Sequence, residues 1–110
     1  MVALAPEQDP ELARLLEHVV AAMEPLEVWL FGSRAEGRAR PDSDYDLLVV
    51  VPDDALEAWL DPERTCGVGH EAGVIADIVP CTKQDFDDER DEPDTLPRAA
   101  YQRGLRLYAA

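Results

Sequence analysis

Two short apolar runs, Leu26 to Phe31 and Leu47 to Val51, are separated by a polar stretch that opens on Gly32-Ser33 and closes on Asp44-Tyr45-Asp46. The first run reads as a strand stopped by Gly32, and Asp44 to Val51 as a second strand stopped by Pro52. This arrangement restricts the fold more than any other feature. It demands a sheet whose strand ends carry a glycine turn on one side and two carboxylates on the other.

Side chains alternate across a strand, so Asp44 and Asp46 point to the same face. Two like charges this close repel unless a cation lies between them, and oxygen ligands at this density suit Mg²⁺, which completes its sphere with phosphate oxygens. An isolated Asp-x-Asp is usually turn chemistry. Here it follows Gly32-Ser33 after ten intervening residues, where backbone N–H groups and a hydroxyl at the end of a strand can hold phosphate oxygens. Ser33 is positioned to cap a short helical turn through Ala35 and Glu36 that Gly37 ends. A third carboxylate, Asp77, stands inside the apolar run Val74 to Val79. Buried there without a partner it would carry a large desolvation cost. A salt bridge to an arginine would satisfy it, but a metal shared with Asp44 and Asp46 accounts for all three carboxylates together.

The remaining elements follow from periodicity. Leu12, Leu15, Leu16, Val19, Val20 and Met23 recur at helical spacing behind Asp9 as N-cap and Pro10 at the first helical position, and this helix ends near Pro25. His18 falls within it and reads as an ordinary helix residue. Residues 54–60 read as a short helix carrying Leu56, Trp59 and Leu60. Asp61 to Gly73, with Gly67, Gly69 and Gly73 around His70, reads as a flexible loop. Val74 to Val79 forms a third strand closed by Pro80, and Thr82 with Asp85 resembles a capping pair for a brief helix. A last helix runs from about Thr95 to Arg103, stopped by Gly104, and Leu105 and Leu107 alternate with Arg106 and Tyr108 as in a terminal strand.

At 110 residues the chain is expected to form one domain over 1–110. Its 24 acidic residues against ten basic ones give a net charge of −14, a field that repels phosphate polymers and argues against direct nucleic-acid binding. The acidic run from Asp85 to Asp94 is either a solvated face or a docking patch for a basic partner. Cys66 and Cys81 lack the spacing of a zinc site or a disulfide scaffold. The opening MVALAPEQDP has no basic, apolar leader pattern, and the apolar run from Leu47 to Val51 is far too short to span a bilayer, so a cytoplasmic location is expected.

The stretch FGSRAEGRARPDSDYDLLVVV resembles the signature of minimal nucleotidyltransferases in the DNA polymerase β-like superfamily: Gly-Ser, about ten residues, Asp-x-Asp, then an apolar strand. The third aspartate in VIADIV and the Gly-x-x-Leu-Tyr close in RGLRLYAA are similar to the same family. The resemblance implies an α/β nucleotidyltransferase fold, a short mixed sheet with helices packed on one side. It implies that Gly32 and Ser33 hold the triphosphate of a nucleotide, expected to be ATP, with Arg34 a contact to the γ-phosphate. Asp44 and Asp46 would bridge two Mg²⁺ ions, and Asp77 would bind the catalytic ion and help to deprotonate the acceptor hydroxyl. Stand-alone domains of this kind are commonly antitoxins paired with a HEPN-type ribonuclease toxin, some of which receive AMP on a tyrosine, and this is the partner expected here. The alternatives are an enzyme acting on a small molecule such as an aminoglycoside, and a non-catalytic antitoxin that binds its partner.

Overall fold

The computed structural model of the chain describes residues 9–40 and 43–110. The expectations for the opening segment, and for Pro41 and Asp42 in the polar loop, lie outside them. The order is α1 (Pro10–Met23), β1 (Glu27–Phe31), β2 (Tyr45–Val51), a 3₁₀ turn (Leu56–Trp59), α2 (Pro62–Ala72), β3 (Ala76–Thr82), α3 (Lys83–Glu89), α4 (Leu96–Arg103) and β4 (Leu105–Ala109). The strands form one sheet in the order β3-β2-β1-β4. β1 runs antiparallel to β2 and to β4, while β2 and β3 are parallel, joined by the crossover through α2. The expected α/β fold with a short mixed sheet is therefore the one that forms.

The helices cover both faces of that sheet rather than one. Val28, Leu30, Leu47, Val49 and Val51 turn toward Leu12, Leu15 and Val19 of α1 and Val68 and Ala72 of α2. On the opposite face Trp29, Leu48 and Val50 pack with Phe86 of α3 and Ala100 of α4. The reason lies in β2. Its run Leu47 to Val51 is apolar at every position and buried throughout, and a strand with no polar face needs cover on both sides.

The caps expected at Asp9 and Thr82 form, and Thr95 adds a third. Asp9 Oδ1 accepts from the N–H groups of Glu11 and Leu12, Thr82 Oγ1 from Asp85, and Thr95 Oγ1 from Arg98. His18 lies on α1 with Nδ1 2.9 Å from the Arg14 carbonyl, a bond within its own helix.

The flexible loop expected over Asp61 to Gly73 is instead α2. Asp61 caps it through Glu63 N–H, Pro62 opens it, and Gly73 closes it with a left-handed φ of 71°. Each interior glycine lowers helix propensity by about 1 kcal/mol, so local preference opposes this helix and packing decides it. Gly69 is buried with its Cα side so near the Val74 carbonyl that a β-carbon would lie 3.1 Å from that oxygen, and Arg14 of α1 donates to the Ala72 carbonyl at 2.7 Å. β3 likewise begins later than expected and runs through Pro80. It is an edge strand, where a residue lacking an N–H removes no ladder bond if it faces outward.

Candidate active site

Phe31, the last residue of β1, is paired with Asp46 of β2, and Asp46 is in turn level with Asp77 of β3. The turn after β1 and the carboxylates of two neighbouring strands therefore meet at one end of the sheet. Asp46 and Asp77 share the face that carries Leu48, Val79 and Phe31, beyond the part covered by α3 and α4. Adjacent strands lie about 4.8 Å apart, so two ionised side chains level with each other repel.

Asp46 bears the consequence. Burial first, then the charge of Asp77 and then that of Asp44 raise its pKa above the ordinary aspartate value. Asp44 stands just before β2 and is exposed. Asp77 is exposed as well, which corrects the expectation of a buried carboxylate: β3 is an edge strand and leaves this position open to solvent. What makes Asp77 unusual is its register with Asp46.

Gly32 closes over the same carboxylate. Its φ is +75°, and a β-carbon there would lie 3.2 Å from Cγ of Asp46 and closer still to Oδ2. The left-handed backbone favours glycine, and any larger residue would have to displace the Asp46 carboxylate. The Gly32 carbonyl accepts from the N–H groups of Ala35 and Glu36, and the Ser33 carbonyl from Arg38, which makes the expected turn, with Gly37 at φ 71°. Ser33 is half-buried at the start of this turn. Arg34 does not extend outward. Its Nε and Nη2 donate to the Ser43 carbonyl at 3.0 and 2.8 Å, and its guanidinium carbon lies 4.1 Å from the centre of the Tyr45 ring.

The donor set is oxygen throughout, its central carboxylate is disfavoured in the ionised form by burial and by its neighbours, and a glycine turn lets the backbone approach it closely. These features fit a hard divalent cation. Among the described residues no three acidic, histidine or cysteine side chains already converge as a ligand set, so Asp44 and Asp77 would turn toward Asp46 as the ion arrives.

Two further residues belong to the site's frame. Tyr45, buried between the two aspartates, donates its hydroxyl to Asp9 Oδ2 at 2.7 Å, and burial followed by Asp9 raises its pKa well above the ordinary phenol value. The sequence shows Asp9 only as a helix cap. Its second role depends on a contact 36 positions away. A groove of about 440 Å³ also runs along the free edge of β3, with Trp59, Leu60 and Pro62 facing the stretch from Asp77 to Pro80.

Comparison with known proteins identifies the family and the fold. The sequence matches the family model "Nucleotidyltransferase domain" over residues 12–95. A search of curated proteins gives no match. Among solved structures, the fold is similar to a candidate nucleotidyltransferase from Sulfolobus solfataricus, with a TM-score of 0.54 and 20% identity over 88% of this chain and 77% of that one. It is also similar to a toxin–antitoxin complex with AMP-PNP, at a TM-score of 0.58 and 18% identity over 89% of this chain and 73% of the other. A variant of the toxin–antitoxin pair MntA-HpeT, in which two aspartates two positions apart are replaced by glutamate, gives a TM-score of 0.56 and 16% identity over 89% and 73%. With a family model that spans most of its length and a sheet end built from Gly32, Asp46 and Asp77, the chain belongs to the nucleotidyltransferase domain family.

Proposed function

We propose that this nucleotidyltransferase moves AMP from ATP to a hydroxyl on a partner protein in a magnesium-dependent reaction, and that it serves in the cytoplasm as the antitoxin of a HEPN-type ribonuclease toxin. The observation that carries the reading is the level pairing of Asp46 with Asp77 beside a glycine turn that packs directly against the Asp46 carboxylate. Asp44, Asp46 and Asp77 would hold two magnesium ions, whose chemistry is to neutralise charge on the triphosphate and lower the acceptor's proton affinity. Gly32 and Ser33 hold the phosphates from the turn after β1, and Asp77, on the outermost strand, meets the acceptor. The acceptor oxygen bonds to the α-phosphorus as the bond to the bridging oxygen breaks. Pyrophosphate leaves, and the hydroxyl proton passes to the Asp77 carboxylate.

The protein acceptor is supported by the toxin–antitoxin neighbours, one of them with AMP-PNP, and by the groove beside β3. Its largely apolar wall and its Asp77 suit a tyrosine, whose phenol with a pKa of about 10 is more readily deprotonated than a serine or sugar hydroxyl. A net charge of −14 would also steer a basic partner.

The test mixes the purified chain, ATP and Mg²⁺ with its copurified partner and, separately, with aminoglycosides, and reads intact mass and pyrophosphate. The expected result is an AMP increment on the partner. Adducts on the small molecules and none on the partner would make the small-molecule enzyme correct. Neutralisation of the partner with no adduct anywhere would make the protein a binding antitoxin. Calorimetry with ATP should show weak binding that Mg²⁺ strengthens, and equal affinity in both conditions would remove the metal from the reading.

A further inference from the structure

Arg34 follows the Gly-Ser pair directly, the position from which a cation would reach a bound triphosphate. Its side chain goes elsewhere. It crosses the base of the loop and closes the edge formed by Nε and Nη2 on the Ser43 carbonyl, while its guanidinium carbon lies over the ring of Tyr45, 4.1 Å from the ring centre. Ser43 and Tyr45 flank Asp44, and Tyr45 separates Asp44 from Asp46, so one side chain grips the backbone on one side of the first aspartate and the ring on the other.

Each of these holds is itself anchored. Ser43 is bonded twice to Arg40, its N–H donating to the Arg40 carbonyl at 3.0 Å and its Oγ accepting from the Arg40 N–H at 2.9 Å. The Tyr45 ring is 3% exposed, and its hydroxyl donates to Asp9, whose other carboxylate oxygen caps α1. A continuous chain of contacts thus runs from the N-terminus of α1 through Asp9, Tyr45 and Arg34 to the turn that carries Gly32 and Ser33.

We infer that Arg34 is a positioning residue, which fixes Asp44 and Asp46 against the Gly32 turn, rather than a contact to the triphosphate. The inference rests on the reading of these aspartates as the cation-binding carboxylates. Lysine could deliver a positive charge to a phosphate equally well, but it has no planar fork with which to hold a carbonyl through two N–H groups while lying over a ring. Partners that orient carboxylate ligands typically change metal affinity by about 10- to 100-fold when lost.

The experiment measures Mn²⁺ binding by electron paramagnetic resonance, first without nucleotide and then with ATP, for the unmodified chain, Arg34→Lys, Arg34→Met, Tyr45→Phe and Asp46→Asn, with circular dichroism confirming the fold of each. Both Arg34 variants should weaken Mn²⁺ binding about tenfold before any nucleotide is present. Lysine should not rescue, and Tyr45→Phe, which keeps the ring and loses the bond to Asp9, should shift binding in the same direction by less. Unchanged Mn²⁺ affinity without nucleotide, together with ATP binding lost in Arg34→Met and restored in Arg34→Lys, would overturn the inference and make Arg34 a phosphate contact. If Arg34→Lys alone folds, its Mn²⁺ affinity decides in the same way. Asp46→Asn separates the two levels of the argument: binding equal to that of the unmodified chain would sink the cation reading itself, whereas its loss beside intact binding in the Arg34 variants would sink only the positioning role.

Discussion

Replacing Gly32 with alanine tests the close approach of the turn to Asp46, and Gly73→Ala supplies its control. Both glycines have left-handed backbones, φ +75° and +71°, so alanine at either position incurs about 1–2 kcal/mol of conformational strain. For a domain of this size that corresponds to a fall in Tm of roughly 4–12 °C. The surroundings then differ. A β-carbon at Gly73 meets nothing within 4 Å, whereas at Gly32 it lies 3.2 Å from Cγ of Asp46 and overlaps Oδ2. Relief to ordinary contact distance requires the carboxylate to swing by about 1 Å, and a displacement of that size in a reacting array lowers rate by on the order of 100-fold. Thermal melts should therefore show similar losses for the two variants. Transfer assays at 25 °C, where both remain folded, should show a loss of about 100-fold in kcat/KM for Gly32→Ala and near-normal activity for Gly73→Ala. Equal activity in the two variants would refute the claim that Gly32 is required by Asp46 rather than by its own backbone.

The pH dependence of stability should report the crowding of Asp46: because its folded pKa is raised, the metal-free native state binds this proton more tightly than the unfolded chain, and stability falls as pH rises from about 4 through the raised value. Asp46→Asn should then raise the Tm of metal-free protein at pH 7, an advantage that vanishes below about pH 4 and that Mg²⁺ reverses by stabilising only the unmodified chain; melts that differ equally at both pH values would contradict it. Asp77→Asn should abolish transfer yet leave nucleotide binding by calorimetry largely intact, while Asp44→Asn should damage both, and a fully active Asp77→Asn protein would end the three-carboxylate mechanism. At Gly104, where a β-carbon would lie 2.6 Å from the Leu30 carbonyl and 3.0 Å from the Ala100 α-carbon, alanine should destabilise the fold by about 3 kcal/mol, read as a loss of helicity at lower denaturant, because backbone and not a flexible side chain must move. A midpoint within error of the unmodified chain would show that α4 and β1 can separate without cost.

Local chemistry made most of the elements legible: the caps at Asp9 and Thr82, the apolar period of α1 and the alternation in β4 all depend on residues a few positions apart. The spacing from Gly32-Ser33 to Asp44 and Asp46 was equally legible, since a strand, a turn and a second strand bring those residues to one sheet end whenever the strands pair as neighbours. α2 was not. Its glycines read as a loop because the burial of Gly69 against Val74 and the cap on Ala72 from Arg14 are supplied by distant parts of the chain. The second helical layer was missed, although the unbroken apolar run Leu47 to Val51 requires cover on both sides; assembly shows that Leu48 and Val50 meet Phe86 and Ala100. By itself the sequence determined the residue types at the site and the order of strands that carry them. Only the tertiary structure decided that Asp77 stands level with Asp46, that Tyr45 is tied to Asp9 and that Arg34 turns back onto Ser43, because strand register and side-chain direction follow from packing between segments the sequence keeps apart.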